Sequence, residues 1–282
     1  MGYLDRIDEC NNHDLGRYAP FAAAEQRIGW IRLDRIQLLE QLMAGLQVSD
    51  QGVTMSRDLS SFEARSEAVA EVVTALMERG EISAWRGELY PVGISFDAPP
   101  LLELERAAVP FFGARAYGVH VNGFTRRDGD LLMWVAHRAR DKPTYPGMLD
   151  NMVAGGQPIG ISLHENVIKE AAEEASIPRE LAASAVPTGS VSYCHENEHG
   201  LKPDCMFCYD LELPPDFEPR SADGEVEAFE LVPVQDVAAI VRDTSKFKFN
   251  CNLVILDFLL RHGVIPADHP ERALIAAGLR TN

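Results

Sequence analysis

Two alternating apolar runs around a tight turn, followed by an irregular loop and a strongly acidic helix, constrain this chain more than any other feature. AYGVHVNGF, from Ala116 to Phe124, alternates like a half-buried strand, and so does LLMWVAHRA from Leu131 to Ala139. The intervening RRDGD supplies the turn residues of a hairpin. RDKPTYPGMLDNMVAGG then carries enough Pro, Gly and Asp to interrupt any regular element. In the next stretch, QPIGISLHENVIKEAAEEASIP, Ser162 and Glu165 fit a capping box and Pro178 sets the far limit of a helix. Glu170, Glu173 and Glu174 stand at i, i+3 and i+4, on one face of that helix.

Carboxylates at that spacing repel by roughly a few tenths of a kcal/mol per pair. A solvated acidic face tolerates this repulsion. A hard cation such as Mg²⁺, which takes oxygen ligands, removes it. The preceding Gly155 and Gly156 favour the second reading, because backbone without Cβ atoms can approach a ligand closely. The irregular loop before them is also a common address for chemistry.

Downstream, DCMFCYDLELP and EVEAFELVPV alternate as two more strands. VQDVAAIVRD and NLVILDFLLRHG read as closing helices, the second stopped by Gly263. Upstream, the spacing predicts a helix over Trp30–Leu46 and another through Phe62, Val69, Val72, Val73 and Leu76, with Gly80 as its stop. Short strands are expected around Trp85 and Leu89–Val92, ahead of a break at Asp97–Leu102. The expected fold is α+β: a mixed sheet packed between helices, preceded by a small, mainly helical N-terminal domain over residues 1–110.

With 26 Lys plus Arg against 43 Asp plus Glu, the formal charge is −17. That balance argues against a nucleic-acid backbone or an anionic membrane as partner. It allows a small anionic substrate, because a bound divalent ion reverses the local sign. The five cysteines (Cys10, Cys194, Cys205, Cys208 and Cys251) form no regular framework, which favours a reducing compartment. Cys205-Met-Phe-Cys208 has the spacing of half a zinc site, but no second such pair exists, and both cysteines sit in an apolar alternating run. MGYLDRIDECNN has no apolar signal core, and no apolar run reaches membrane-spanning length. The expectation is a soluble, cytoplasmic protein, an organelle not excluded.

Gly155 to Ile177 resembles a Nudix box, G-x5-E-x7-R-E-U-x-E-E-x-G-U with U a bulky apolar residue. Gly155, Glu170, Glu173, Glu174 and Ile177 match, while Ile161, Lys169 and Ser176 replace the first Glu, the Arg and the second Gly. HRARDKPTYPGMLDNMVAGG and DGEVEAFELVP on either side are similar to the thiamin pyrophosphokinase-related Nudix hydrolases, a subgroup that includes a box without the first Glu. The resemblance implies a Nudix αβα sandwich over residues 111–282 and dependence on Mg²⁺ or Mn²⁺. It also implies cleavage of a small-molecule diphosphate, namely thiamin diphosphate and its damaged, oxidised analogues, to the monophosphate.

By the same resemblance Glu170, Glu173 and Glu174 are the metal ligands, aided by backbone near Ala154 or Gly155. The proton acceptor is a box glutamate, or Glu225 or Glu227 in the later DGEVE turn. Glu165, four residues before Lys169, is expected to pair with it and to support the altered box. Arg138, Arg140 and Lys142 form a local basic patch suited to diphosphate oxygens. His120 and Asn122 share a strand face and could line the pocket beside Gly155 and Gly156. Alternative readings are a Nudix hydrolase of another nucleoside diphosphate derivative, an isopentenyl diphosphate isomerase-like enzyme using Cys194, and a ligand sensor without turnover.

Overall fold

The computed structural model describes residues 2–280 except 43, 44, 84, 143 and 223. The hairpin forms the centre of a mixed sheet. Strand Tyr117–Arg127 pairs antiparallel with Asp130–Arg138 through its second half and with Val153–Gly156 through its first. On its other side it runs parallel to Cys205–Glu212. Val186–Ser192 and Val226–Pro233 complete the two sides, and Leu149–Asn151 adds to Asp130–Arg138. The acidic helix, Leu163–Ala175, packs Val167, Ile168, Ala171 and Ala175 on one sheet face, against Val119, Val121 and Val153. The closing helices Val234–Asp243 and Cys251–Arg261 pack on the other. These layers make an αβα sandwich within an α+β chain.

The strands expected from Ala116 onward and the closing helices all form, and Gly80 and Gly263 turn the chain with positive φ after their helices. The N-terminal half differs from its expectation. Trp30–Arg32 lie in strand Gln26–Arg32; of the expected helix, Leu33–Arg35 forms a 3-10 turn and Ile36–Leu42 an α-helix. Leu46 begins another strand, while Met43 and Ala44 lie outside the described residues. The strand wins because its backbone pairs along Tyr18–Ala23 and Trp30 N–H donates to Phe112 O at 2.9 Å. Gly52–Met55 pairs with Tyr18–Ala23 in parallel and with Leu46–Ser49 antiparallel. Leu89–Val92 is a strand, whereas Trp85 is half-exposed and outside any; Leu102–Glu105, placed beyond the break, pairs with Leu89–Val92. The accessory domain is thus a mixed unit built round helix Phe62–Glu78, with its own core from Phe21 to Ala114.

The first helix, Tyr3–Cys10, does not join that core. Tyr3, Ile7 and Cys10 are buried with Val237, Phe247 and Cys251 of the sandwich, so the chain begins on one unit before building the other. Among the described residues no helix is long and apolar enough to cross a membrane. Phe258 is fully buried, edge-on to Phe124 and stacked on His262. Phe258→Ala is expected to cost about 3–5 kcal/mol, read as a lower midpoint in urea denaturation.

Candidate active site

The loop ahead of the acidic helix is fixed by side chains that no sequence motif announced. Asn166, fully buried, donates through Nδ2 to Gly156 O at 2.8 Å and to Gln157 Oε1 at 3.0 Å. Gln157 Nε2 donates to Ile161 O at 2.7 Å. The apolar Ile161, standing where the box expects Glu, therefore contributes through its carbonyl. Ser162 caps the helix by accepting Glu165 N–H at 3.2 Å. The reciprocal half of the capping box is not made, because the Glu165 carboxylate takes Arg179 Nη2 at 3.0 and 3.2 Å. The same contact replaces the expected Glu165–Lys169 pair. At the far end Ser176 adopts φ 52°, a conformation that costs a residue with a Cβ about 1–2 kcal/mol and explains why the box pattern has Gly there.

The three box glutamates divide their contacts. Glu174 reaches across to the sheet, accepting Ala154 N–H at 2.8 Å. Glu170 lies against Gly155, where a Cβ would stand 2.2 Å from its Cδ. Lys169 Nζ bridges Glu170 Oε1 at 2.9 Å and Glu173 Oε2 at 3.0 Å, a built-in counter-charge between carboxylates. Burial, and then the Asp150, Glu170 and Glu225 charges, push the Glu174 carboxyl well up despite the Ala154 N–H. Burial also pushes Glu170 up, against the pull of Lys169. Carboxylates raised in this way are a donor set short of positive charge, and hard oxygen ligands suit Mg²⁺ or Mn²⁺.

One trio of potential ligands among the described residues converges within 4.8 Å, and it is a different one: His120, Asp150 and Cys251, all buried. It is a poor cation site. Cys251 S–H donates to Asp150 Oδ1 at 2.7 Å, and Arg138 and Lys248 already face the same carboxylate, at 2.7 and 3.7 Å. Burial would raise Asp150, but Lys248 and Arg138 bring it down to about 2.

The basic patch disperses. Arg138 donates from each of its three guanidinium nitrogens, to Asp150 and to the Tyr145 and Thr144 carbonyls, holding the loop in which Tyr145 has φ 51°. Arg140 is exposed and 3.6 Å from exposed Glu227. Lys142 pairs with Glu225. Pro143 and Asp223, within the loop and turn of these residues, lie outside the described residues. Glu225, unlike Glu227, is brought to the helix. It lines, with Glu174 and Asp150, a cavity of about 10 Å³, room for about one water. Lys142 holds the Glu225 carboxyl below its ordinary range against the opposing effect of burial.

His120 lines a cleft of about 750 Å³ that also takes in Gly155 and Gly156. Burial, aided by Lys248, pushes its imidazole down to about 4, so near neutral pH it carries no charge. Its Nδ1–H donates to Asn151 Oδ1 at 2.9 Å. Asn122 is buried deeper, joined to Asn151 at 3.3 Å and to Asp210 at 3.2 Å, and does not line the cleft. Tyr145, Tyr193 and Phe249 give the cleft an aromatic side, and Glu198 and Asp204 an acidic one. Its remaining wall comes from the accessory domain, through Arg86, Tyr90 and Arg106. Cys194 is not among the cleft-lining residues, and Cys208 is buried in the core.

Fold and cleft together make a site open to a small molecule and flanked by carboxylates. The NUDIX domain family matches residues 115–252, and a domain of unknown function, DUF4743, matches residues 2–116. The chain is 46% identical over 275 residues to Nudix hydrolase 20, chloroplastic, of Arabidopsis thaliana, covering 94% of this chain and 74% of that one. It is 46% identical over 273 residues to Nudix hydrolase 24, chloroplastic, of the same plant, covering 95% and 75%. Among solved structures it is similar to the NUDIX domain of Shewanella oneidensis NrtR, with TM-score 0.42 and 17% identity over 54% of this chain and 90% of that one. The chain belongs to the Nudix hydrolase family. Enzymes of this family act on small-molecule diphosphates and generally use a divalent metal ion.

Proposed function

We propose that this protein is a Mg²⁺- or Mn²⁺-dependent diphosphohydrolase of thiamin diphosphate-like compounds, oxidised analogues included, within the thiamin pyrophosphokinase-related subgroup. The observation that carries the reading is one cleft that joins the glycine edge beside Glu170 to an aromatic and acidic far side. The diphosphate belongs at the glycines. Tyr145, Tyr193 and Phe249 offer faces to a flat heterocycle, and Glu198 and Asp204 suit its cationic or amine-bearing edge.

Glu170, Glu173 and Glu174 would hold the ion, with backbone near Ala154 and Gly155. Once bound, a divalent ion neutralises diphosphate charge and lowers the pKa of water. Glu225, kept ionised by Lys142 and sharing a small cavity with Glu174, would accept the proton as water attacks phosphorus. The bridging P–O bond breaks, and the monophosphate leaves. His120, uncharged near neutral pH, orients rather than donates charge.

Product analysis by ³¹P NMR with Mg²⁺ tests the assignment. Thiamin diphosphate and its oxidised analogues are expected to yield monophosphate and phosphate, in preference to ADP-ribose and isopentenyl diphosphate. Turnover of ADP-ribose alone would remove the thiamin assignment and keep the chemistry.

A further inference from the structure

Of the charges assigned to phosphate recognition by sequence, Arg138 is taken by Asp150 and two carbonyls and Lys142 by Glu225, while Arg140 is exposed near Glu227 and lines neither the cleft nor the small cavity. A diphosphate at Gly155 and Gly156 therefore meets other cations. Four Lys and Arg residues line the cleft: Arg86 and Arg106 from the accessory domain, and Lys202 and Lys248 from the sandwich. Lys202 is paired with Asp204 at 3.1 Å, and Arg106 stands over Tyr90, the residue whose hydroxyl reaches Gly156. Lys248 already lies 3.7 Å from Asp150 Oδ2. Arg106 commits one end of its guanidinium. Its Nη1 donates to Glu88 at 2.8 Å, its guanidinium stands 5.7 Å from the centre of the Tyr90 ring, and its side chain is nearly half exposed to the cleft.

The accessory domain is also fastened at this point. Ile159 N–H, just after the glycines, donates to Leu89 O at 2.9 Å, and Arg106 N–H donates to Glu88 O at 2.9 Å. Tyr90 Oη fills the space a Cβ at Gly156 would need, 1.5 Å from that Cβ position. The strand that opens at Leu89, just after Glu88, thus sits on the glycine loop through Leu89 and Tyr90. Arg106 also stands within electrostatic reach of both Glu170 and Glu225.

We propose that Arg106 grips the diphosphate at the acidic helix, so that the accessory domain supplies a binding residue to a composite active site. The proposal rests on the diphosphohydrolase reading above. Glu88 and Tyr90 are positioning residues: one holds Nη1, the other supports the guanidinium plane, leaving its remaining N–H groups for phosphate oxygens. A domain of otherwise unassigned role then helps decide which diphosphates are cleaved, because it supplies part of the cleft wall.

The test is calorimetric binding of imidodiphosphate with Mg²⁺ to the full chain, wild type against Arg106→Met, Arg106→Lys and Arg57→Ala. Arg106→Met keeps the stem over Tyr90 and loses the charge. It is expected to weaken binding by about tenfold or more, with Arg106→Lys in between because a single ammonium lacks the fork. Arg57→Ala removes the same charge from an exposed accessory-domain pair with Glu25 and should bind as wild type. Both Arg106 variants binding within about twofold of wild type would overturn the proposal and leave Arg106 an interface ion pair. No binding by wild type would instead remove the diphosphohydrolase reading and the grip with it.

Discussion

Glu174→Gln is expected to lower Mg²⁺-supported hydrolysis by about three orders of magnitude while the chain stays folded. The amide keeps the shape of the side chain and can still accept Ala154 N–H, which the carboxylate holds at 2.8 Å. What it loses is charge at the most strongly raised carboxyl of the acidic helix, pushed up by burial and then by Asp150, Glu170 and Glu225. In the metal-free protein that carboxyl keeps its proton to higher pH than an ordinary Glu. The proton must leave before a cation binds, so wild-type Mn²⁺ affinity should weaken as pH falls. Glu174→Gln should bind Mn²⁺ more weakly and with a flatter pH dependence. Phosphate release and Mn²⁺ titration across pH read both effects. Turnover within about tenfold of wild type would take Glu174 out of the metal site.

Local pattern carried the sandwich. The strand over Tyr117–Phe124 and the helix over Leu163–Ala175 have periods of two and of 3.6 written in adjacent residues, and each forms where its period says. The accessory sheet was hidden because its order is non-local: Tyr18–Ala23 pairs in parallel with Gly52–Met55, across intervening strand and helix. Trp30–Leu46 has apolar residues that satisfy a helix, yet pairing to Tyr18–Ala23 and Phe112 decides the first part of it. In the site, residue type was legible but partnership was not. Nothing in HRARDK says that Arg138 is consumed by Asp150 and two carbonyls, or that Lys142 faces Glu225. Arg106 and Lys248 lie far from the box in sequence, with no motif of their own, and only the fold brings them into the same cleft as Gly155.

Gly155→Ala should separate the position of Glu170 from the stability of the fold. Gly155 does not have positive φ, so its backbone accepts an alanine. Space alone objects: the new Cβ would stand 2.2 Å from Glu170 Cδ, 2.3 Å from Cγ and 2.6 Å from Oε2. No carbon tolerates those distances, and the movable part is the end of the Glu170 side chain rather than the sheet or the helix. The carboxylate swings off the glycine edge, carrying one of the proposed metal ligands with it and disturbing its 2.9 Å contact with Lys169. A displacement of about 1 Å in a catalytic group costs on the order of 100-fold in rate, so a loss of that size is expected, together with weaker Mn²⁺ binding. Thermal unfolding should shift little, because the layers that hold the helix, Val167 and Ala171 against Val119 and Val121, are untouched. A large drop in melting temperature with unchanged specific activity of the folded fraction would mean that the strand had moved instead. Glu170 would then owe its closeness to Gly155 to packing alone.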